Sequence, residues 1–306
     1  IRRLAAFRES SNPEYPGHVL ATFGEVIESM GVAPKVVAIS GYTLIPYTTM
    51  CELKESLTMY GDVQVISGDK MEQELRMVKS DNEIACMRHA GMITAKAMDD
   101  VIAKIEPGMT ELQMVGVAQK AVYEHGAEYE GLPMYVFSEA STRHAISRSS
   151  YREFQKGDIV QLNLSAKIDG YSAAIGYPIC LGSLEGQRRD IVQFCREAHA
   201  WTCDQVKAGT PAASIAKNFY NYYVDHGYEK NFVYGPLHGT GIIEVEAPWC
   251  ETSSTYDLKE NMTYQVDTFI ASDTFGVRWE KGIAVKEGGF EMLSPEIPEV
   301  CPELHF

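Results

Sequence analysis

Of the eight histidines in this 306-residue chain, two lie in loops that lead into strand-like runs, where a rigid scaffold usually presents reacting groups. They are His144, in Ser141-Thr-Arg-His144-Ala-Ile, and His238, in Tyr234-Gly-Pro-Leu-His238-Gly-Thr-Gly241. Glycines and a proline beside His238 bring backbone close to an imidazole that must then face something. The Gly-Thr-Gly is not a nucleotide loop, because no G-x-G-x-x-G follows and no βαβ unit frames it. Downstream, Asp267 falls in a strand-like run, and Glu280 follows Val277-Arg-Trp ahead of a further run, Gly282–Val285. One imidazole and two carboxylates on separate strands are a donor set for a divalent metal. The same three groups can equally form hydrogen-bonded pairs with no chemistry attached. The remaining histidines are set aside: His89, His125, His199 and His226 fall within or at the ends of helical stretches, and His18 and His305 sit near the termini.

The elements that must position these residues are legible as two similar sets. Ser80-Asp-Asn-Glu83 is a capping box, and apolar residues follow at helical spacing from Ile84 to Ile105, ending before Pro107-Gly108. Thr110-Glu-Leu-Gln113 is a second box, opening a helix that Gly126 closes. A third helix is predicted over Arg188–Lys207. Thr210-Pro211 then predicts a fourth, with Thr as cap and Pro at the first helical position, ending at Gly227. Gly108 and Gly209 are 101 residues apart, as are Gly126 and Gly227, His125 and His226, and Glu128 and Glu229. A strand run introduced by a lysine follows each pair, Lys156–Asn163 and Lys259–Asp267. That period is too long for a solenoid. It predicts a duplicated α+β unit with its site in the cleft between two halves. Ahead of it, a helical stretch at Val19–Met30 and strand-like runs at Val36–Ile39 and Val63–Ile66 predict part of a small α/β domain.

Composition excludes several classes of function. Lys and Arg total 27 against 42 Asp and Glu, a net charge of −15, which repels phosphate backbones and anionic lipid surfaces. No apolar run approaches the roughly 20 residues of a membrane span. The seven cysteines form no C-x-x-C pair, so reduced thiols and a cytoplasmic setting are expected. The opening Ile1-Arg2-Arg3 reads as a truncated start and not a signal peptide.

Glu74-Leu-Arg76-x-x-Lys79-Ser80-x-x-Glu83-Ile84 resembles the linker into the catalytic domain of the pita-bread family, which includes creatinase, prolidase, aminopeptidase P and methionine aminopeptidase. Lys156-Gly-Asp-Ile-Val, Gly170-Tyr171, His238-Gly-Thr-Gly and Glu280 follow in the family's order, so the resemblance covers Arg76 to Leu293. It implies a partial creatinase-type N-terminal α/β domain over 1–72 and an α+β, duplicated pita-bread catalytic domain over 73–306. A homodimer, in which an N-terminal domain covers the partner's cleft, is also implied.

Departures from the family pattern carry as much information. Its metallopeptidases use two Asp on one β-ribbon, one His and two Glu as ligands. Here the two Asp positions hold Asn163 and Ala174, the His is His238, the first Glu is shortened to Asp267, and the second is Glu280. An amide and a methyl cannot bridge two metal ions, so no metal pair is expected. Asn and Ala at those positions resemble creatinase, which works without metal and through a loop histidine; the resemblance implies that His144 occupies that place, in a loop about two residues longer than the family's. Gly176, Val245 and Glu246-Ala-Pro-Trp249 lack creatinase's substrate-side groups, so creatine itself is disfavoured. The leading expectation is a creatinase-like, cofactor-free hydrolase of a C–N bond in a small non-creatine substrate. His144, His238, Asp267 and Glu280 are its catalytic candidates, and Asn163, Tyr171 and Trp249 its candidate substrate contacts. One alternative is an Xaa-Pro aminopeptidase or prolidase-like enzyme with a single Mn or Zn on His238, Asp267 and Glu280. The other is an inactive binding protein on the same fold.

Overall fold

A computed structural model describes residues 22–295. The first part of the helical stretch read at Val19–Met30, together with His18, Cys301 and His305, lies outside the described residues. The chain divides at Leu75/Arg76 into two compact units.

In the first unit Thr22 and Glu25 form a capping box that starts α1 (Phe23–Ser29). β1 (Val36–Ile39), α2 (Tyr47–Leu57) and β2 (Gln64–Ser67) follow, and β1 pairs with β2 in parallel. The charged segment after them is itself helical, α3 (Asp69–Met77), and carries the chain across the division.

The second unit begins with α4 (Asp81–Ile102) and α5 (Glu111–Glu124), each opened by the expected capping box. Then come β3 (Tyr135–Phe137), α6 (Glu139–Thr142), β4 (Ile159–Ile168), β5 (Tyr171–Cys180), α7 (Gly186–Cys203) and α8 (Ala212–Asp225). β6 (Leu237–Gly239), β7 (Glu246–Trp249), β8 (Thr263–Ala271), β9 (Gly276–Lys286) and β10 (Gly289–Met292) complete it. One antiparallel sheet runs β3-β4-β5-β9-β8-β6-β7, with β10 beside β9. β4, β5, β8 and β9 are buried along most of their lengths on both faces, so they lack the apolar–polar alternation of a half-exposed strand. α4 packs on β4 and β5, and α7 packs on β8 and β9.

The duplication is exact in its second helix and in the turns, though α4 has 22 residues and α7 has 18. α5 and α8 are 14 residues each and start 101 apart, while α4 and α7 end at Ile102 and Cys203, again 101 apart. Gly108 and Gly209 take φ of 91° and 85°, left-handed conformations open to glycine at little cost. Their N–H groups donate to Phe154 and Leu258 carbonyls, both at 2.8 Å. Several helix boundaries differ from expectation: α4 ends at Ile102, short of Ile105, and α7 starts at Gly186. α7 stops before Asp204 because residues 204–208 turn into Gly209 as 103–107 turn into Gly108. α8 is capped by Pro211 rather than Thr210, whose hydroxyl donates to the Gln205 carbonyl instead. No described helix is long and apolar enough to cross a membrane, and the six described cysteines are free thiols.

Candidate active site

Strand register places the central groups in one row. Asn163 on β4 lies opposite Gly176 on β5, Gly176 opposite Glu280 on β9, and Glu280 opposite Asp267 on β8. Directly opposed residues of a sheet share a face, so the row delivers three polar side chains to one surface. Gly176 is the gap in that row. A Cβ there would stand 2.7 Å from Asn163 Nδ2 and 2.8 Å from Glu280 Cβ, and its absence lets Asn163 reach over to donate to Glu280 Oε2 at 2.7 Å. Gln161 Nε2 donates to Asn163 Oδ1 at 3.0 Å, which orients the amide. Asn163 therefore offers Glu280 an N–H and no lone pair.

His238 comes from the adjoining strand β6, with its Nδ1–H donating to the Gly239 carbonyl at 3.0 Å. That bond turns Nε2 toward Glu280 Oε1, 3.7 Å away. The ligand atoms of His238, Asp267 and Glu280 lie within 4.8 Å of one another, and all three residues are buried. Arg278, two residues before Glu280 on the same face of β9, sets its Nε 3.2 Å from Asp267 Oδ1 and its Nη1 3.8 Å from Glu280 Oε2. Its Nη2 donates to the Ala145 carbonyl at 3.0 Å and to the Tyr234 hydroxyl.

Electrostatics follow from this packing. Burial alone would push the Glu280 carboxyl up, but the hydrogen bond from His238 and the charges of Arg278 and His238 hold it below its ordinary value. Asp267 is pushed up to about 6 by burial, with Arg278 opposing. Burial disfavours charge on His238, yet its hydrogen bond to Glu280 and the nearby Glu244 charge raise it to about 9. Glu244, in the loop between β6 and β7, is pushed up to about 8 by burial and by the charge of Glu280.

These groups line a cavity of about 590 Å³, whose wall also includes Tyr135, Tyr220, Phe232, Tyr234 and Trp249. Of the sequence candidates, His238, Asp267 and Glu280 meet in its lining, Asn163 is buried against Glu280, and Trp249 also lines it. Two others stand elsewhere. Tyr171 donates its hydroxyl to Glu83 Oε1 at 2.7 Å and does not line the cavity. His144 is exposed and also outside the lining; Arg278 holds the neighbouring Ala145 carbonyl, and Ile146 is the residue of that loop in the wall. Glu244, Arg278 and Tyr234 went unrecognised in the sequence. Strand alternation alone could have found Arg278, since positions 278 and 280 share a face.

The donor set fits one divalent ion. It does not fit two, because Asn163 directs an N–H inward and Ala174 has no donor atom. Asp267 Oδ1 is buried and makes no hydrogen bond, with Arg278 Nε as its charged neighbour at 3.2 Å.

Residues 85–287 match the model of metallopeptidase family M24. The chain belongs to that family, whose peptidases are hydrolases. It is 24% identical over 279 residues to an uncharacterized peptidase of Bacillus subtilis, covering 90% of this chain and 77% of that one. It is likewise 24% identical to the Xaa-Pro dipeptidase of Pyrococcus horikoshii, over 82% of this chain and 71% of that protein. The fold superimposes on prolidase from Pyrococcus furiosus with a TM-score of 0.81 at 23% identity, covering 90% of this chain and 80% of the other. The M24 match bears out the pita-bread resemblance and its α+β architecture.

Proposed function

We propose that this chain hydrolyses an amide-type C–N bond in a small peptide-like substrate, at a site suited to one divalent ion. The carrying observation is the cluster of His238, Asp267 and Glu280, whose ligand atoms lie within 4.8 Å of one another in the lining of the cavity. Similarity to the Xaa-Pro dipeptidase favours this reading over the creatinase-like one. His238, Asp267 and Glu280 would hold the ion, Mn²⁺ or Zn²⁺. Such an ion polarises a carbonyl oxygen and acidifies bound water. The chain's own residues prepare that centre. The His238 Nδ1–H bond to Gly239 keeps Nε2 aimed inward, as the outer hydrogen bond of a metal-bound imidazole usually does. Arg278 and Asn163 hold the two carboxylates in place, and the apolar wall limits bulk water around the bond under attack. His144 has no part in this reading.

One observation favours the metal-free alternative. Arg278 already sets a fixed cation beside Asp267 and Glu280, so these carboxylates are compensated without an ion. Elemental analysis and an Xaa-Pro dipeptide assay separate the two. The expected result is one divalent ion per chain, with turnover lost to chelator and restored by Mn²⁺ or Zn²⁺. Turnover indifferent to chelator transfers the assignment to the metal-free hydrolase.

A further inference from the structure

Residues 241–246, the turn between β6 and β7, are held with their polarity reversed. Ile242 and Ile243 are 43% and 53% exposed, whereas Glu244, next in the chain, is 7% exposed. Glu244 is turned into the cavity lining, where it shares a hydrogen bond with Glu280. Left to its own composition, such a turn would send the carboxyl group to water and an isoleucine to the apolar wall. Something outside the turn has to hold it.

Contacts from both sides do so. Lys79, buried just ahead of α4, sets its Nζ 2.9 Å from Glu246 Oε1, and Arg76 Nη2 donates to Glu246 Oε2. Glu246 passes the restraint to the turn by accepting the Ile243 N–H at 3.2 Å. Gly241 lets the turn close over this pair, since a Cβ there would fall 2.6 Å from Glu246 Oε1 and 2.9 Å from Lys79 Cε. From the first half of the duplication, Lys167 Nζ donates to the Ile242 carbonyl at 2.9 Å, and the Ser172 N–H to the Gly241 carbonyl at 2.7 Å. Neither Lys79 nor Glu246 lines the cavity, so their pair reaches a ligand only through the turn.

We infer that Lys79 and Glu246 are positioning residues of the hydrolytic site: their ion pair fixes the β6–β7 turn so that Glu244 faces Glu280 and the isoleucines stay out of the cavity. This rests on the hydrolase reading above. With the pair removed, the turn spends part of its time reversed, with an isoleucine in the cavity. Substrate then binds only the correctly turned fraction, which raises KM and leaves kcat, a property of the bound complex, in place.

Glu246→Gln alone would strand the buried charge of Lys79. The telling variant is therefore Lys79→Met with Glu246→Gln, which removes both charges at near-constant volume. Hydrogen exchange read by peptide mass spectrometry follows the turn without any turnover. Exchange should quicken about 10-fold or more at residues 241–246 and change little in β8 and β9. With an Xaa-Pro dipeptide, KM should rise about 10-fold, as for a turn correctly placed about one-tenth of the time, with kcat within about twofold of wild type. Metal content should not change, because His238, Asp267 and Glu280 stand on strands. Lys167→Met, which leaves every buried charge in place, should shift exchange and KM the same way by less.

Unchanged exchange at residues 241–246 in both variants overturns the inference. So does exchange quickened over the whole second unit, the mark of a pair that only stabilises the fold, or a fall in kcat at constant KM. If the wild-type protein hydrolyses no Xaa-Pro dipeptide while exchange quickens at the turn alone, the clamp stands and the hydrolase reading falls. Turnover of the dipeptide with no response at the turn does the reverse.

Discussion

Arg278 is the residue on which the site's charge balance turns. It is buried, beside Asp267 and Glu280, and it stacks over the rings of Tyr234 and Phe269 at 5.7 and 5.8 Å. Removing one partner from a buried ion pair leaves the other uncompensated, at a cost of about 3–5 kcal/mol. Arg278→Met should lose stability on that scale in urea unfolding, and Arg278→Lys should recover part of it. A loss below about 1 kcal/mol, the scale of an exposed pair, would instead show that solvent reaches the carboxylates. His199 makes a second, independent case. On α7 it is buried with Nε2 unpartnered, and burial lowers its pKa to about 3. Between that value and the ordinary one near 6.5, the unfolded chain binds the proton and the folded chain does not. Its contribution is therefore complete above pH ~6.5 and is lost as pH falls, with a slope of about 1.4 kcal/mol per pH unit. His199→Gln should flatten the acid side of the stability profile, as measured by denaturant midpoints at several pH values.

At the scale of elements, β5 carries the tightest constraint. It meets β9 only at Ile175–Lys281 and Gly176–Glu280, and beyond them Gln161 on β4 bridges to β9. Its Nε2 donates to the Arg278 carbonyl at 3.1 Å and its Oε1 accepts the Arg278 N–H at 2.8 Å. Within this seam Gly176→Ala would gain the roughly 0.5–1 kcal/mol that a side chain gives a strand over glycine. Overpacking costs typically ~1–3 kcal/mol, and it wins because the new Cβ falls 2.7 Å from Asn163 Nδ2 and 2.8 Å from Glu280 Cβ. The variant should melt lower and lose the Asn163–Glu280 bond, with turnover falling more than stability alone explains. An unchanged melting temperature would mean that the seam opens freely.

For the whole molecule, duplication makes the site a meeting of halves: Asn163 comes from the first, and His238, Asp267 and Glu280 from the second. The first half brings an amide and a methyl, Asn163 and Ala174, and the second brings the imidazole and both carboxylates. Restoring carboxylates with Asn163→Asp and Ala174→Asp together should raise bound metal from one ion toward two per chain. Inductively coupled plasma analysis reads this directly. No increase would mean that Arg278 already fills the electrostatic place of the second ion.

The sequence by itself determined whatever is local or repeats at fixed spacing. Capping boxes at Ser80 and Thr110, the Gly108/Gly209 and Gly126/Gly227 turns, and the duplicated order of helices and strands were all legible there, because each depends on a few neighbouring residues. His238, Asp267 and Glu280 could be picked out because each stands in a distinctive strand or glycine setting, and the family pattern joined them. Only the tertiary structure decided which groups touch them. Arg278 sits on the carboxylates through strand register, Glu244 enters from a loop without periodicity, and Ile146 takes the wall in place of His144 through a difference of two residues. Those outcomes depend on side-chain reach across strands far apart in the chain, which no local pattern encodes.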